Sequence, residues 1–296
     1  MSAEETWTVN RLLNWTRDFF KKKGIEKPQL EAEILLAHAM NIKRIELYTA
    51  FETEPTETQR TIFRDFVKRR GSGEPSAYLT GSREFYSLRF KVDRSVLIPR
   101  PETEDLVLQT LDTLNTYTNE NAPVIVDVGT GSGIIAVTLA KNTLAKNLPK
   151  HLPASKIIAV DISAEALAVA RHNAKTHGVA DRIDFRQSDL LEQVSETLDI
   201  VVSNPPYISQ SEFESLPTDV KDFEPKTALL AGTKGTDVIE RLIPQSVNLL
   251  RSGGHLLLEV SPMIADSVAQ FLHGWDNVQI LPDSAGRQRI VCGRKK

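Results

Sequence analysis

Apolar positions in the opening stretch, residues 1–80, recur at helical intervals. Val9, Leu12, Leu13, Thr16 and Phe19 or Phe20 fall on one helical face, and Leu30, Ile34, Leu35 and His38 do the same after Pro28 at the start of a second helix. Ile62, Phe63, Phe66 and Val67 form a third apolar face, closed by Arg69-Arg70-Gly71 as a stop signal. Three amphipathic helices can bury one small shared core, so 1–80 reads as a helical domain. Between 81 and 100 the period drops to two: Phe85 precedes Tyr86, Leu88, Phe90 and Val92, a strand or hairpin linker. Ile98-Pro99-Arg100-Pro101 then leads into a helix over 102–114.

Farther on, short apolar runs at 124–128, 157–160, 183–187, 200–203 and 256–260 alternate with helical patterns at 134–141, 164–176, 237–250 and 264–272. Such alternation predicts an α/β fold: a Rossmann-like, mostly parallel sheet with helices on both faces, over 101–296. The tail breaks the pattern. Runs at 278–281 and 289–292 flank Asp283-Ser284-Ala285-Gly286 with no helix between, which predicts an antiparallel C-terminal edge. The 142–156 segment is long for a connection and carries two prolines with Lys146, Lys150 and Lys156; it reads as a solvated surface insertion.

Composition narrows the function class. The 296 residues carry a net charge of −3, which argues against a dedicated nucleic-acid grip; Lys21-Lys22-Lys23 and Lys68-Arg69-Arg70 read as solvated helix ends. A single cysteine, Cys292, excludes an internal disulfide framework and a multi-thiolate zinc site. No apolar run reaches the roughly 18 residues of a membrane span, and Glu4 and Glu5 do not suit a secretory signal, so a cytoplasmic protein is expected.

Candidate chemistry gathers at the ends of successive strands. Asp127-Val128-Gly129-Thr130-Gly131-Ser132-Gly133 closes one strand and opens a helix, and its glycines let backbone approach a ligand. Ile134 stands where a dinucleotide fingerprint wants glycine or alanine, and Asp127 suits a ligand's cationic amine better than a pyrophosphate. Asp161 ends the next strand, where a carboxylate can accept ribose hydroxyls or open the following helix. After the third, Asp189 could accept from an adenine amino group with Leu190 against the ring. Asn204-Pro205-Pro206-Tyr207 follows the fourth. Two prolines stiffen the backbone; Asn204 Oδ1 and the Pro205 carbonyl can accept both protons of a planar –NH2 group, and Tyr207 can stack on it. The set fits S-adenosylmethionine-dependent methyl transfer to an amide or adenine nitrogen. A nicotinamide-dependent oxidoreductase and a non-catalytic cofactor binder remain as alternatives.

Several segments together carry a resemblance: Glu31-Ala32-Glu33-Ile34-Leu35-Leu36-Ala37-His38, Gly81-Ser82-Arg83-Glu84-Phe85-Tyr86, Ile98-Pro99-Arg100-Pro101-Glu102-Thr103-Glu104, the glycine loop, Val202-Ser203-Asn204-Pro205-Pro206-Tyr207-Ile208, Phe223-Glu224-Pro225 and Asp283-Ser284-Ala285-Gly286-Arg287. The chain resembles the HemK/PrmC family, protein-(glutamine-N5) methyltransferases of class I peptide-chain release factors. The tetrapeptide is shared with DNA adenine methyltransferases, whereas the 98–104 segment is more specific to this family. The resemblance implies S-adenosylmethionine held by residues 129–133, Asp161 and Asp189, with Asn204 and the Pro205 carbonyl on the glutamine amide of a Gly-Gly-Gln tripeptide. It also implies a release factor met by the N-terminal helices, without direct nucleic-acid or membrane binding, by an expected monomer. Val260-Ser261-Pro262, Leu190 and Gly232-Thr233-Lys234-Gly235-Thr236-Asp237 depart from the family's usual residues.

Overall fold

The computed structural model describes residues 6–117, 121–143 and 155–296. Most of the surface insertion expected at 142–156 (residues 144–154) lies outside them. The chain divides into two compact units: residues up to Gly81 together with Thr218–Phe223, and Ser82–Pro217 together with Glu224–Lys296.

The first unit contains α1 (Val9–Lys22), α2 (Pro28–Met40), α3 (Glu57–Arg70) and α4 (Ser76–Thr80). Thr8 Oγ1 accepts the Arg11 N–H at the start of α1, and Thr56 with Gln59 forms a capping box on α3; each satisfies amides that a helix start leaves without partners. Val9, Leu12, Leu13, Thr16 and Phe20 are buried, the stripe the sequence predicts for α1. The buried face of α2 differs from expectation. Ala32, Leu35, Leu36 and Ala39 are inside while His38 is exposed, because α2 packs against both α1 and α3 and needs a broader apolar face than one stripe. Ile62 of α3 is also exposed, whereas Phe63, Phe66 and Val67 are buried. Arg70 corrects the reading of its basic run as solvated. Its Nε donates to Glu31 at 2.8 Å, Asp219 lies 3.6 Å away, and the side chain is buried.

The second unit opens with the hairpin β1 (Ser82–Phe85) and β2 (Leu88–Lys91), then α5 (Thr103–Asn115), β3 (Val124–Val128), α6 (Ile134–Asn142), β4 (Lys156–Asp161), α7 (Ala164–Thr176), β5 (Ile183–Gln187) and β6 (Leu198–Ser203). The short helices α8 (Gln210–Glu214), α9 (Thr218–Lys221) and α10 (Lys226–Leu229) follow, α9 grouping with the first unit. Next come α11 (Asp237–Leu249), β7 (Leu250–Glu259), α12 (Ala265–Phe271), β8 (Asp276–Pro282) and β9 (Gln288–Arg294). Among the described residues, seven strands form one sheet in the order β5-β4-β3-β6-β7-β9-β8. Strands β5 to β7 run parallel, and β9 pairs antiparallel with both β7 and β8, the mixed edge that the helix-free tail predicts.

Strand alternation sorts the core into two layers. Ile125, Ile157, Ala159, Ile200, Val202 and Leu257 face one side, with Leu106, Val137 and Leu139 of the helices covering them. Val126, Val128, Ile158, Val160, Val201, Leu256 and Leu258 face the other, against Ile239, Leu242 and Val268. With both faces covered, the central strands must be apolar throughout, which is why they read as continuous runs. The chain leaves β3 for β4 on one side and returns to β6 on the other. In open α/β sheets a ligand crevice forms beyond the carboxyl ends of strands at such a reversal.

Candidate active site

A cavity of about 310 Å³ lies beyond the carboxyl ends of β3, β4, β5 and β6. Gly129, Thr130, Gly131 and Ser132 line it from the end of β3, Asp161 from β4, Asp189 and Leu190 from β5, and Asn204 and Pro206 from β6. Residues from four strand ends, up to 77 positions apart in sequence, thus share one wall set, Asn204 lying opposite the glycine loop's own strand through the β3–β6 pairing. Ser203 Oγ donates to the Val128 carbonyl at 2.7 Å and fixes those two strand ends together.

The loop's shape follows from its glycines and two carboxylates. Gly129 and Gly131 hold φ of +73° and +54°, left-handed conformations that cost glycine nothing. Gly133 (φ +82°) has a second constraint: a Cβ there would sit 3.1 Å from the Ala170 side chain, so glycine lets α7 press against the loop. The Gly129 and Thr130 amides both donate to the Val160 carbonyl at 2.9 Å. Asp161 accepts the Gly131 amide on Oδ2 at 2.8 Å and the Ser163 amide on Oδ1 at 2.9 Å. Burial raises its carboxyl above the ordinary aspartate range, and those backbone amides oppose the rise.

Asp127 does not line the cavity, which corrects its expected place beside a ligand amine. It is fully buried under the loop, where Oδ2 accepts the Thr130 hydroxyl at 2.6 Å and the Ala136 amide at 3.0 Å. The loop's own donors need an acceptor in the interior, and Asp127 is that acceptor. Burial pushes its carboxyl up to about 7. Gly133 likewise sits behind the wall rather than on it.

Asp189 carries a partner that the sequence did not suggest: Arg241 of α11 donates to its Oδ2 at 2.6 Å, and both side chains line the cavity. Leu190 follows with φ of +50°, a left-handed conformation for a residue with a side chain.

In the tetrapeptide, Asn204 and Pro206 face the cavity while Pro205 is buried and off its lining. Tyr207 is off it too, which corrects the ring-stacking expectation. Its ring turns inward, its hydroxyl stands 3.5 Å from Glu259 Oε1, and burial together with the Glu259 charge raises its pKa. Backbone bonds from Ile208 to the Leu229 carbonyl and from Ala231 to the Ile208 carbonyl hold the segment's exit. Gly235 packs against it so closely that a Cβ would meet the Tyr207 carbonyl at 2.9 Å.

Residues that sequence reasoning did not assign complete the frame. Asn204 Nδ2 donates to Thr103 Oγ1 at 3.1 Å, and Thr103 is fully buried. Arg100 donates to Glu224 Oε1 at 2.6 Å, and the same carboxylate accepts the Ile98 amide at 3.1 Å. Glu102 pairs with Arg287 at 2.8 Å, and Glu104 accepts the Tyr86 amide at 2.8 Å. Asn173 of α7 clamps β2 to the loop, donating to the Lys91 and Ser132 carbonyls. The 98–104 segment therefore ties the hairpin, the Glu224 turn and the Asp283–Arg287 turn to the tetrapeptide. Both its residues and their distant partners stood out in the sequence as separate segments; that these segments meet did not.

Comparison with known proteins places this frame in a context. Residues 11–81 match the model of the PrmC N-terminal domain, and residues 103–218 match that of the methyltransferase small domain. The chain is 48% identical to the release factor glutamine methyltransferase of Rhodopirellula baltica over 99% of this chain and 98% of that protein. It is 42% identical to that of Koribacter versatilis over 90% of this chain and 91% of that one. Among solved structures, the hMettl16 catalytic domain in complex with MAT2A 3'UTR hairpin 6 superposes at a TM-score of 0.55 and 18% identity, over 75% of this chain and 80% of that one. That likeness shows a shared fold.

Proposed function

Because the chain belongs to the release factor glutamine methyltransferase family, we propose how its residues divide the work of moving a methyl group from S-adenosylmethionine to the glutamine side-chain nitrogen in the Gly-Gly-Gln tripeptide of a class I release factor. The cofactor, when bound, supplies a methyl carbon made electrophilic by a positive sulfur. Fit supports the cavity as its seat. The volume lies at the small end of ligand pockets, glycine backbone lines one wall, a strand-end carboxylate lines the next, and Leu190, Ile162 and Ala166 offer apolar surface for a purine. In this reading residues 129–132 and Asp161 hold the methionine and ribose parts, with Asp189 and Leu190 at the base. Asp127 and Gly133 shape the loop from behind.

Asn204 Oδ1 receives one proton of the glutamine amide from the cavity wall, and the carbonyl of Pro205, a residue that sits behind that wall in the ligand-free chain, receives the other once the substrate is seated. An amide nitrogen is a poor nucleophile because its lone pair is delocalised. Two fixed acceptors turn that lone pair toward the glycine loop and stabilise the positive charge that grows on nitrogen during transfer. The alkylated nitrogen is acidic and loses its proton to water without a dedicated base. The observation that carries this reading is Asn204 on the cavity wall with its NH2 already committed to Thr103, which leaves Oδ1 as the atom to present.

The helical unit is assigned to the release factor. A groove of about 910 Å³ on it, lined by Trp7, Trp15, Phe19, Arg60 and Arg64, supports this assignment, since exposed aromatic and arginine side chains are the common anchors of protein interfaces. The working form is taken to be a cytoplasmic monomer. Among the described residues no helix is long and apolar enough to cross a membrane. Incubation of the enzyme and cofactor with a release factor, followed by peptide mass spectrometry, should map one added CH2 to the glutamine. Transfer to duplex DNA and none to the factor would overturn the substrate assignment.

A further inference from the structure

We infer that Thr103 and Glu259 are positioning residues that set which end of the Asn204 side-chain amide faces the substrate, an inference that rests on the role proposed above for Asn204. Asn204 follows directly on β6 and Glu259 is the last residue of β7; because Ser203 pairs with Leu258, the parallel register carries Asn204 and Glu259 to the same level of the sheet. Thr103, the first residue of α5, connects them. Asn204 Nδ2 donates to its Oγ1 at 3.1 Å, and its hydroxyl lies near enough to Glu259 to lower that carboxyl's pKa. All three lie within the second unit.

The polarity of this chain decides the geometry. An ionised carboxylate can only accept, so the Thr103 proton points at Glu259. A threonine hydroxyl has one proton, so toward Asn204 it can only accept. Asn204 must therefore turn its NH2 to Thr103, and its Oδ1 is left for the substrate's protons. A rotated amide would offer N–H groups to an NH2 substrate, donor against donor. Thr103 and Glu259 are 0% and 1% exposed, so no solvent competes for these bonds. The Tyr207 hydroxyl stands 3.5 Å from Glu259 Oε1 and can donate to the same carboxylate, and Glu259 Oε2 is buried with no hydrogen-bond partner among the described residues.

The same polarity makes the device sensitive to protonation of Glu259. The charged groups acting on that carboxyl are Arg289 and Glu102, with Tyr207 and Thr103 as its hydrogen-bond neighbours. Burial holds it up at about 7, against the pull of the Thr103 bond and of Arg289. A protonated Glu259 becomes a donor to Thr103 Oγ1, and the threonine proton is then free to point at Asn204 and favour the rotated amide.

The test compares Thr103→Val, which keeps shape and loses the hydroxyl, with Thr103→Ser, which keeps the hydroxyl, in the full-length enzyme. With a release factor as substrate, Thr103→Val should lower kcat by about 10-fold or more, with KM for the factor and calorimetric affinity for S-adenosylhomocysteine within about 3-fold of wild type. Thr103→Ser should recover most of the lost turnover. Wild-type kcat should fall as pH drops below about 7, and Glu259→Gln should flatten that limb. A substrate-free readout separates this inference from the proposed function: the Asn204 side-chain NH2 resonances, identified by their loss in Asn204→Asp. They should be protected from exchange in wild type, shift with the Glu259 titration, and lose protection in Thr103→Val. Wild-type protection in Thr103→Val, or full kcat in that variant, would overturn the inference. A wild-type enzyme inert on release factors that still showed the resonance behaviour would overturn the function and leave the positioning intact.

Discussion

Two side chains at neighbouring strand ends show how burial decides a residue's work. Asp127 and Asn204 are both polar and both follow apolar runs, but one is sealed beneath the glycine loop and the other stands on the cavity wall. Asn204→Ala should lower kcat by about 10²–10³-fold, the scale of losing one placed acceptor, while S-adenosylhomocysteine still binds in a calorimeter. Equal turnover in that variant would remove the tetrapeptide from the mechanism. Asp127 makes a stability prediction. Its carboxyl moves from an ordinary 3.8 up to about 7 through burial, so the folded chain favours the neutral form. That contribution to stability is full below the ordinary value and is lost as pH rises through the folded one. Asp127→Asn keeps an acceptor for Thr130 and Ala136 and has no such loss. Its melting temperature relative to wild type, in the ligand-free protein, should therefore climb by a few degrees between pH about 4 and about 7. A constant difference across that range would show that the carboxyl does not titrate there.

At the level of elements, the sequence displayed the central strands β3, β4 and β6 as apolar runs, because strands covered on both faces have no polar side to interrupt them, whereas the edge strand β5, Ile-Asp-Phe-Arg-Gln, alternates. Boundaries were less visible. β7 begins at Leu250, several residues before the apolar run at 256, since backbone pairing and not side-chain character decides where a strand starts. The helices α8, α9 and α10 were not visible at all, being four or five residues long and too short to show a period. What fixes that region is the buried Glu224, which accepts from Arg100 and from the Ile98 amide. Glu224→Ala leaves a cation and an amide without this acceptor and should cost about 2–4 kcal/mol, measured by urea unfolding, with Glu224→Gln falling between. In the first unit, Arg70→Ala leaves Glu31 without its guanidinium partner and should speed amide hydrogen exchange in α2 and α3, a local change that a solvated arginine would not produce.

At the level of the molecule, two units each enclose their own core: Leu13, Leu35, Leu36 and Phe63 in one, the two faces of the sheet in the other. A ligand that binds only the folded sheet unit should stabilise it by mass action. S-adenosylhomocysteine at about 100 times its Kd adds about 2.7 kcal/mol, visible as a rise in melting temperature. NAD at the same concentration should leave the melting unchanged, and a matching rise with NAD would count against the cofactor assignment.

The sequence by itself determined the α/β alternation, the antiparallel tail and the residue types at each strand end. These are local properties: a side chain's polarity and its period along the chain are present before anything packs. The tertiary structure alone decided that Asp127 faces inward, that Tyr207 turns from the cavity toward Glu259, and that Thr103 stands between Glu259 and Asn204. Those facts belong to pairs separated by as many as 156 positions, and the direction in which a buried donor or acceptor points is set by the partner that packing brings to it.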